Sequence, residues 1–362
     1  MPAAVLAVGC TLAIASCASP RAATPPPDVV SRLSPAQLAG QMSIASFIGT
    51  VPPAGLRERI RQGRLAGVII YTANVSTRAA LASTVRSLQA IPRPAGLGAP
   101  LLILLDQEGG EVKRISGPPR DSAAVMGRRD TTPEVLAEGA ATALNLRAVG
   151  ANVDLAPVAD VGRPGSLEER QYRAFSRDAG TVGRLATAFM QGLQSRGIAA
   201  TVKHFPGLGV LPRDPDAALQ RVTLSRAELR RVDEAPFATA IAAGPAIVMV
   251  GNAIYTALAR GPALLSEAIV SGELRGRLGY RGVILGDTLT TPALAGLGSP
   301  QQLVTMAAGA GIDLMIFDGS DATNVSFIDA LARAAAGGSL ARARLEASVR
   351  RVLALRGWVW RR

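Results

Sequence analysis

Eight short apolar runs, separated by longer segments of helical character, constrain this chain more than any other feature. They cover residues 42–48, 67–71, 101–105, 152–157, 200–203, 247–250, 282–285 and 313–317. Most are continuous rather than alternating, which suits strands buried on both faces of a parallel sheet. Between them lie Ala-, Leu- and Arg-rich stretches with helical spacing, among them 132–149, 179–196 and 225–243. Ser225, with Glu228 three positions on, makes a capping-box pattern at the start of the last. Repeated β–α units predict a parallel sheet, and eight of them predict a closed (β/α)8 TIM barrel of the α/β class. A doubly wound open sheet is the alternative, but no Gly-rich dinucleotide or phosphate fingerprint follows an early strand. The 362 residues, 48% of them hydrophobic, suffice for one large core. The barrel is expected as a single domain over 34–362.

The first 33 residues read as an address and a spacer. Residues 3–16 are apolar and uncharged. The run is too short to span a bilayer, which takes about 20 apolar residues, and it fits the apolar region of a secretory signal. It ends Ile14-Ala15-Ser16-Cys17, which resembles a bacterial lipobox, although no Lys or Arg precedes it. Residues 1–17 are therefore expected to be a lipoprotein signal with lipidation at Cys17, and a plain cleaved signal is the alternative. Residues 18–33, with Pro20 and Pro25 to Pro27, read as a tether. Export follows, with a lipid anchor in the cell membrane facing the cell wall or periplasm.

Charge and scarce residue types remove whole classes of chemistry. Both cysteines, Cys10 and Cys17, lie in the first twenty residues, so the folded body has no disulfide or cysteine metal site. One histidine, His204, excludes a multi-histidine zinc site. The formal net charge of +12 comes mostly from Arg scattered along the chain. Scattered Arg fits solvated helix faces, and no basic run interleaved with aromatics is present to bind nucleic acid.

A barrel places function at the C-terminal ends of its strands. Several runs here end in polar residues: Asp106, then Lys203 and His204, then Asn252, Asp287 and Asp318. Polar residues from separate strands converge on one mouth and predict a ligand site there.

Three segments resemble the bacterial β-N-acetylhexosaminidases of glycoside hydrolase family 3. They are Asp106-Gln107-Glu108-Gly109-Gly110 with Arg114 beyond it, Lys203-His204-Phe205-Pro206-Gly207, and Gly286-Asp287-Thr288-Leu289. Arg173-Ala174-Phe175 resembles a fourth family motif. Order and spacing agree over roughly residues 35–355. The resemblance implies a TIM barrel that removes terminal β-linked N-acetylglucosamine, typically from peptidoglycan fragments, by a retaining mechanism. It implies no cofactor or metal, a carbohydrate partner, no nucleic acid, and a monomer.

By that resemblance Asp287 is the nucleophile, since a retaining hydrolase needs a carboxylate to attack the anomeric carbon. Without the motif, Asp287 would read as a helix cap. Asp106, Arg114, Arg173, Lys203 and His204 are implied as sugar contacts, whereas a histidine at 204 taken alone would read as a buried, hydrogen-bonded residue. Glu108 reads as structural. The family places an Asp-Ser-His acid/base dyad on the next loop, where this chain has Asp214-Pro215-Asp216. Asp214 takes the dyad's Asp position and Asp216 stands where the histidine should be. Leu208 and Asn252 likewise replace histidines of the family pattern. Two readings stay open. Asp216 is the acid/base, its proton affinity raised by Asp214, or the protein is a catalytically impaired sugar-binding lipoprotein.

Overall fold

The computed structural model describes residues 27–361. Eight parallel strands close into one barrel: β1 Ser43–Ala45, β2 Gly67–Ile69, β3 Leu102–Leu105, β4 Val153–Asp154, β5 Ala199–Phe205, β6 Ile247–Val250, β7 Val283–Gly286 and β8 Leu314–Phe317. Each strand pairs with the next, and β1 closes on β8 with Ser43 opposite Met315. The predicted fold class is the observed one, and each strand falls on one of the eight apolar runs. β1 and β4 keep only two or three ladder residues, whereas β5 runs on to Phe205.

The apolar runs divide between two cores according to the two-residue period of a strand. Leu102 and Leu104 of β3 point into the barrel with Ile44, Val153, Ala199, Ile247, Val283 and Leu314. Ile103 and Leu105 point outward to the helices. Both faces are buried, so the strands read as continuous apolar runs. Gly67 must be a glycine: a Cβ there would lie 2.2 Å from the Leu102 carbonyl oxygen.

The helices form the outer ring. Thr132–Arg147 and Ala179–Ser195 match their predicted spans closely. The predicted 225–243 helix is instead three pieces: Arg226–Glu228, a π-helical turn over Leu229–Asp233, and Ala235–Ala242. Pro236 lacks the N–H that a continuous helix needs, and Glu234 N donates to Leu229 O at 2.8 Å, five residues back. Only half of the expected capping box forms, with Ser225 Oγ accepting from Glu228 N at 3.2 Å. The wide turn leaves Asp233 to pair with both Arg163 nitrogens at 2.7 and 2.9 Å.

The tether expectation needs correcting at its end. Residues Pro27–Ser31 form a short helix, Val30 is fully buried, and Arg342 donates to the Ser31 and Leu33 carbonyls at 2.7 and 3.0 Å. The domain thus begins before residue 34. The lipobox, Cys17 and tether residues 18–26 lie outside the described residues. Among the described residues no helix is long and apolar enough to cross a membrane.

The last helix, Arg342–Trp360, seals the N-terminal end of the barrel, where Val352, Leu355 and Trp358 join the interior core. Its Arg356 is fully buried. It donates to Gln41 and to the carbonyls of Leu97, Ala99 and Pro100, and burial pulls its guanidinium down to about 9. Arg356→Leu strands several buried carbonyls. Chemical denaturation should show a loss of about 3 kcal/mol, with the denaturant slope unchanged.

Candidate active site

The inward phase of the strands continues past their last apolar residue. Ile69 is followed two residues on by Tyr71, Leu104 by Asp106, Leu285 by Asp287 and Ile316 by Asp318. Lys203 holds the same phase on β5, two pleats beyond Ala199. These side chains line one cavity of about 700 Å³ at the C-terminal mouth. Arg114, Arg173, His204, Asp214 and Asp216 line it too, so every sugar-site and catalytic residue expected from the sequence reaches the same cavity. A second cavity, of about 450 Å³, lies at the sealed end and carries no carboxylate in its lining.

One side of the mouth is a chain of buried ion pairs. After β3, residues Gln107–Gly109 fold back against Val112–Lys113. The turn is possible because Gly109 and Gly110 take left-handed φ values of 99° and 59°. Gln107 locks the fold-back: its Oε1 accepts from Arg114 N and Ile115 N at 3.1 and 3.2 Å. Arg114 thereby returns to Asp106 Oδ2 at 2.9 Å, with its guanidinium 5.9 Å from the centre of the Tyr71 ring. Lys203 Nζ bridges Asp106 at 2.8 Å and Glu108 at 2.6 Å. Arg173 forks onto both Glu108 oxygens at 2.8 Å and reaches Glu168 at 3.0 Å. Burial alone would raise the carboxyl groups of Glu108 and Asp106. The adjacent cations outweigh it and hold both below the usual carboxylate range. Burial opposes the Lys203 charge in turn, and Asp106 and Glu108 raise it.

The opposite side carries carboxylates without cations. Asp287 follows β7, and its Oδ1 accepts from Thr288 N at 2.8 Å. Asp216 is tethered at three points. Its N donates to Asp214 Oδ1 at 2.9 Å, its carbonyl accepts from Ala293 N at 3.1 Å, and its Oδ1 accepts from Asn252 Nδ2 at 2.6 Å. Burial, then the charge of Asp287, pushes the Asp216 carboxyl up to about 8, against the lowering effect of the Asn252 hydrogen bond. Asp214 contributes less and stays exposed.

Two residues at the mouth carry no motif. Asp160 holds His204 Nδ1 at 2.7 Å, and Glu168 takes the third arm of Arg173. Tyr71, like Glu168, lines the cavity without being expected from motifs, although its place in the inward phase marks it. Among the described residues, Asp160, Glu168 and His204 form the one group of possible cation ligands, with atoms within 4.8 Å of one another. Asp160 is already engaged by His204 Nδ1 and Leu208 N, and Arg173 already occupies one side of Glu168.

The family model described as the glycosyl hydrolase family 3 N terminal domain matches residues 38–355. The chain belongs to glycosyl hydrolase family 3. It is 34% identical to an uncharacterized secreted glycosyl hydrolase of Arthroderma benhamiae, over 88% of this chain and 92% of that one. It is 33% identical to a β-hexosaminidase of Xylella fastidiosa, over 76% and 82%. The fold superposes on a family 3 β-N-acetylglucosaminidase from Paenibacillus sp. with TM-score 0.85 and 33% identity. That match covers 90% of this chain but 63% of the longer Paenibacillus chain. A β-N-acetylhexosaminidase from Beutenbergia cavernae matches with TM-score 0.80 and 30% identity, over 90% of this chain and 99% of that one.

Within the buried chain Glu108 is the shared anion, so Glu108→Gln leaves Lys203 and Arg173 each short of a carboxylate. Removing one partner of a buried pair costs about 3 to 5 kcal/mol. Equilibrium unfolding should show a loss in that range, and a loss under about 1 kcal/mol would contradict the assignment.

Proposed function

We propose that this protein is a retaining β-N-acetylhexosaminidase that removes terminal β-linked N-acetylglucosamine from glycans such as peptidoglycan fragments. Asp287 is the nucleophile and Asp216 the general acid and base. The observation that carries the reading is the pairing of Asp287 with a carboxyl raised to about 8, in one cavity with the ion-paired cluster. The names of the relatives support the sugar. The cluster supplies fixed donors from Arg114, Arg173 and Lys203 for hydroxyl and acetamido groups.

The two carboxyl groups divide the labour by environment. Asp216 is protonated at neutral pH and gives its proton to the leaving oxygen as Asp287 attacks the anomeric carbon. Esterification then removes the Asp287 charge, one of the causes that raise Asp216. Its proton affinity falls, and as a carboxylate it takes a proton from the incoming water. Water's oxygen bonds to the anomeric carbon, the ester breaks and Asp287 leaves as a carboxylate. Asp214 positions the loop through the Asp216 backbone.

Export and a lipid anchor at Cys17 belong to this reading. The Ile14-to-Cys17 sequence supports the anchor, and a relative described as secreted supports export. The one observation that favours a sugar-binding protein without turnover is the Asn252 hydrogen bond, which engages Asp216 Oδ1 inside the cavity.

Two aryl β-N-acetylglucosaminides separate the readings. With a poor leaving group, Asp216→Ala should slow glycosyl transfer about 10² to 10⁴-fold. With a good one, which needs no proton, it should slow that step far less. Loss of both substrates to the Asp287→Ala background in the wild type would favour binding alone.

The pH profile follows from the same carboxyl. Since the acid must hold its proton, kcat/KM with the poor leaving group should fall as pH rises through about 8. Asn252→Leu removes a hydrogen bond that lowers Asp216 and should move that limb to higher pH. An unmoved limb would contradict Asp216 as the acid.

A further inference from the structure

One cluster, of which Glu168 and His204 line the cavity, has no part in the two carboxylate steps. Asp160 lies beyond β4, Glu168 sits in the short helix Leu167–Arg170, and His204 is near the end of β5. All three are buried, and one polar atom from each lies within 4.8 Å of the others. Their bonding fixes what each has left to offer. Asp160 Oδ1 accepts from Leu208 N at 2.7 Å and from His204 N at 3.4 Å. Its Oδ2 lies 2.7 Å from His204 Nδ1. An Asp160 that accepts through both oxygens makes Nδ1 the donor, so Nε2 is the ring nitrogen left for the cavity. Glu168 Oε1 is held by Arg173, while its Oε2 is buried without a partner. A buried acceptor without a donor costs about 1 to 3 kcal/mol, a cost that a ligand's N–H or O–H removes.

We propose that Asp160 holds His204 as a fixed imidazolium, and that His204 Nε2–H and Glu168 Oε2 form a donor–acceptor pair gripping one hydroxyl or amide of the sugar. A hydroxyl accepts from Nε2–H through its oxygen and donates its own hydrogen to Oε2. An amide does the same with its carbonyl and N–H. His204 is then a clamp and not a substitute for the histidine missing from the 214–216 loop. Glu168 becomes a specificity-determining residue. The gripping half rests on the cavity being the sugar site, and the protonation half does not.

The surrounding charges are balanced in favour of the cation. Burial opposes a charged ring, and Arg173 and Lys203 oppose it further. The charge and hydrogen bond of Asp160 outweigh them and raise His204 above the ordinary imidazole value. Glu168 and Asp216 face the ring as further carboxylates. Asp233, the next acid on this side, is neutralised by Arg163. Burial raises Glu168, with Arg173 and the imidazolium opposing.

His204 is the only histidine in the sequence, so a full chain labelled with ¹⁵N-histidine gives one imidazole spin system. In the wild type both ring nitrogens should remain protonated through pH 7. Asp160→Asn, and to a lesser degree Glu168→Gln, should bring the midpoint down, for Asp160→Asn by about one pH unit or more. Titrating free N-acetylglucosamine should shift the His204 resonances, and Glu168→Gln should weaken its binding about tenfold or more. A neutral wild-type ring at pH 7 overturns the imidazolium, whether or not the variants fold. Unchanged sugar affinity in a folded Glu168→Gln protein overturns the clamp. If the wild-type resonances ignore the sugar, the clamp falls together with the hexosaminidase reading, and the titration still judges the imidazolium.

Discussion

The Lys203 ammonium, buried between Asp106 and Glu108, is the interaction on which the rest of the mouth depends. Burying such a charge without partners would cost several kcal/mol, so β3 and β5, each paired with β4 between them, must hold the registers that bring both carboxylates to Lys203. Each carboxylate then recruits another cation. Asp106 brings back Arg114 from the fold-back after β3, and Glu108 brings in Arg173, which extends the chain to Glu168. One network therefore joins two strands and two loops far apart in sequence. Such pairing contributes little net stability over an apolar core of the same volume. Its contribution is position: Arg114, Lys203 and Arg173 are held in fixed places at the mouth.

The same barrel end separates two kinds of carboxylate. Those of Asp106 and Glu108 are neutralised by neighbouring cations and remain acceptors. Asp214, Asp216, Asp287 and Asp318 line the cavity without ion-pair partners among the described residues. Repulsion there is relieved by a proton rather than by a cation: burial and the charge of Asp287 raise Asp216, which keeps it. An ion-paired half and an unpaired half thus arise from the same residue type, set apart by whether Lys or Arg lies within reach.

Much of this was legible in the sequence because a barrel strand buried on both faces leaves an unbroken apolar run. The polar residue that breaks the run is the one at the mouth. Asp106, Lys203, Asp287 and Asp318 stand out that way, and Tyr71 carries the same phase signal two residues beyond Ile69. Asp160 and Glu168 were not legible. They sit in the irregular 155–178 segment, and only tertiary folding brings them to His204. Local chemistry also misled in two places. Pro236 breaks a helix whose apolar spacing runs through it, and the Pro-rich start hides Val30, which packs into the core. The missing loop histidine was visible, but its consequence depends on the burial of Asp216 and on Asn252, which no spacing reveals.

The proposed chemistry turns on Asp287 attacking the sugar and holding it covalently. Its most direct test is to trap that ester with a 5-fluoro-N-acetylglucosaminyl fluoride, whose second fluorine slows both steps, and to find the label by intact-mass and peptide mass spectrometry. One sugar per chain should be found, attached to Asp287, with slower release of it in Asp216→Ala, where water has no base. A label on another residue, or turnover of an aryl glycoside by Asp287→Ala at the wild-type rate, would contradict that chemistry.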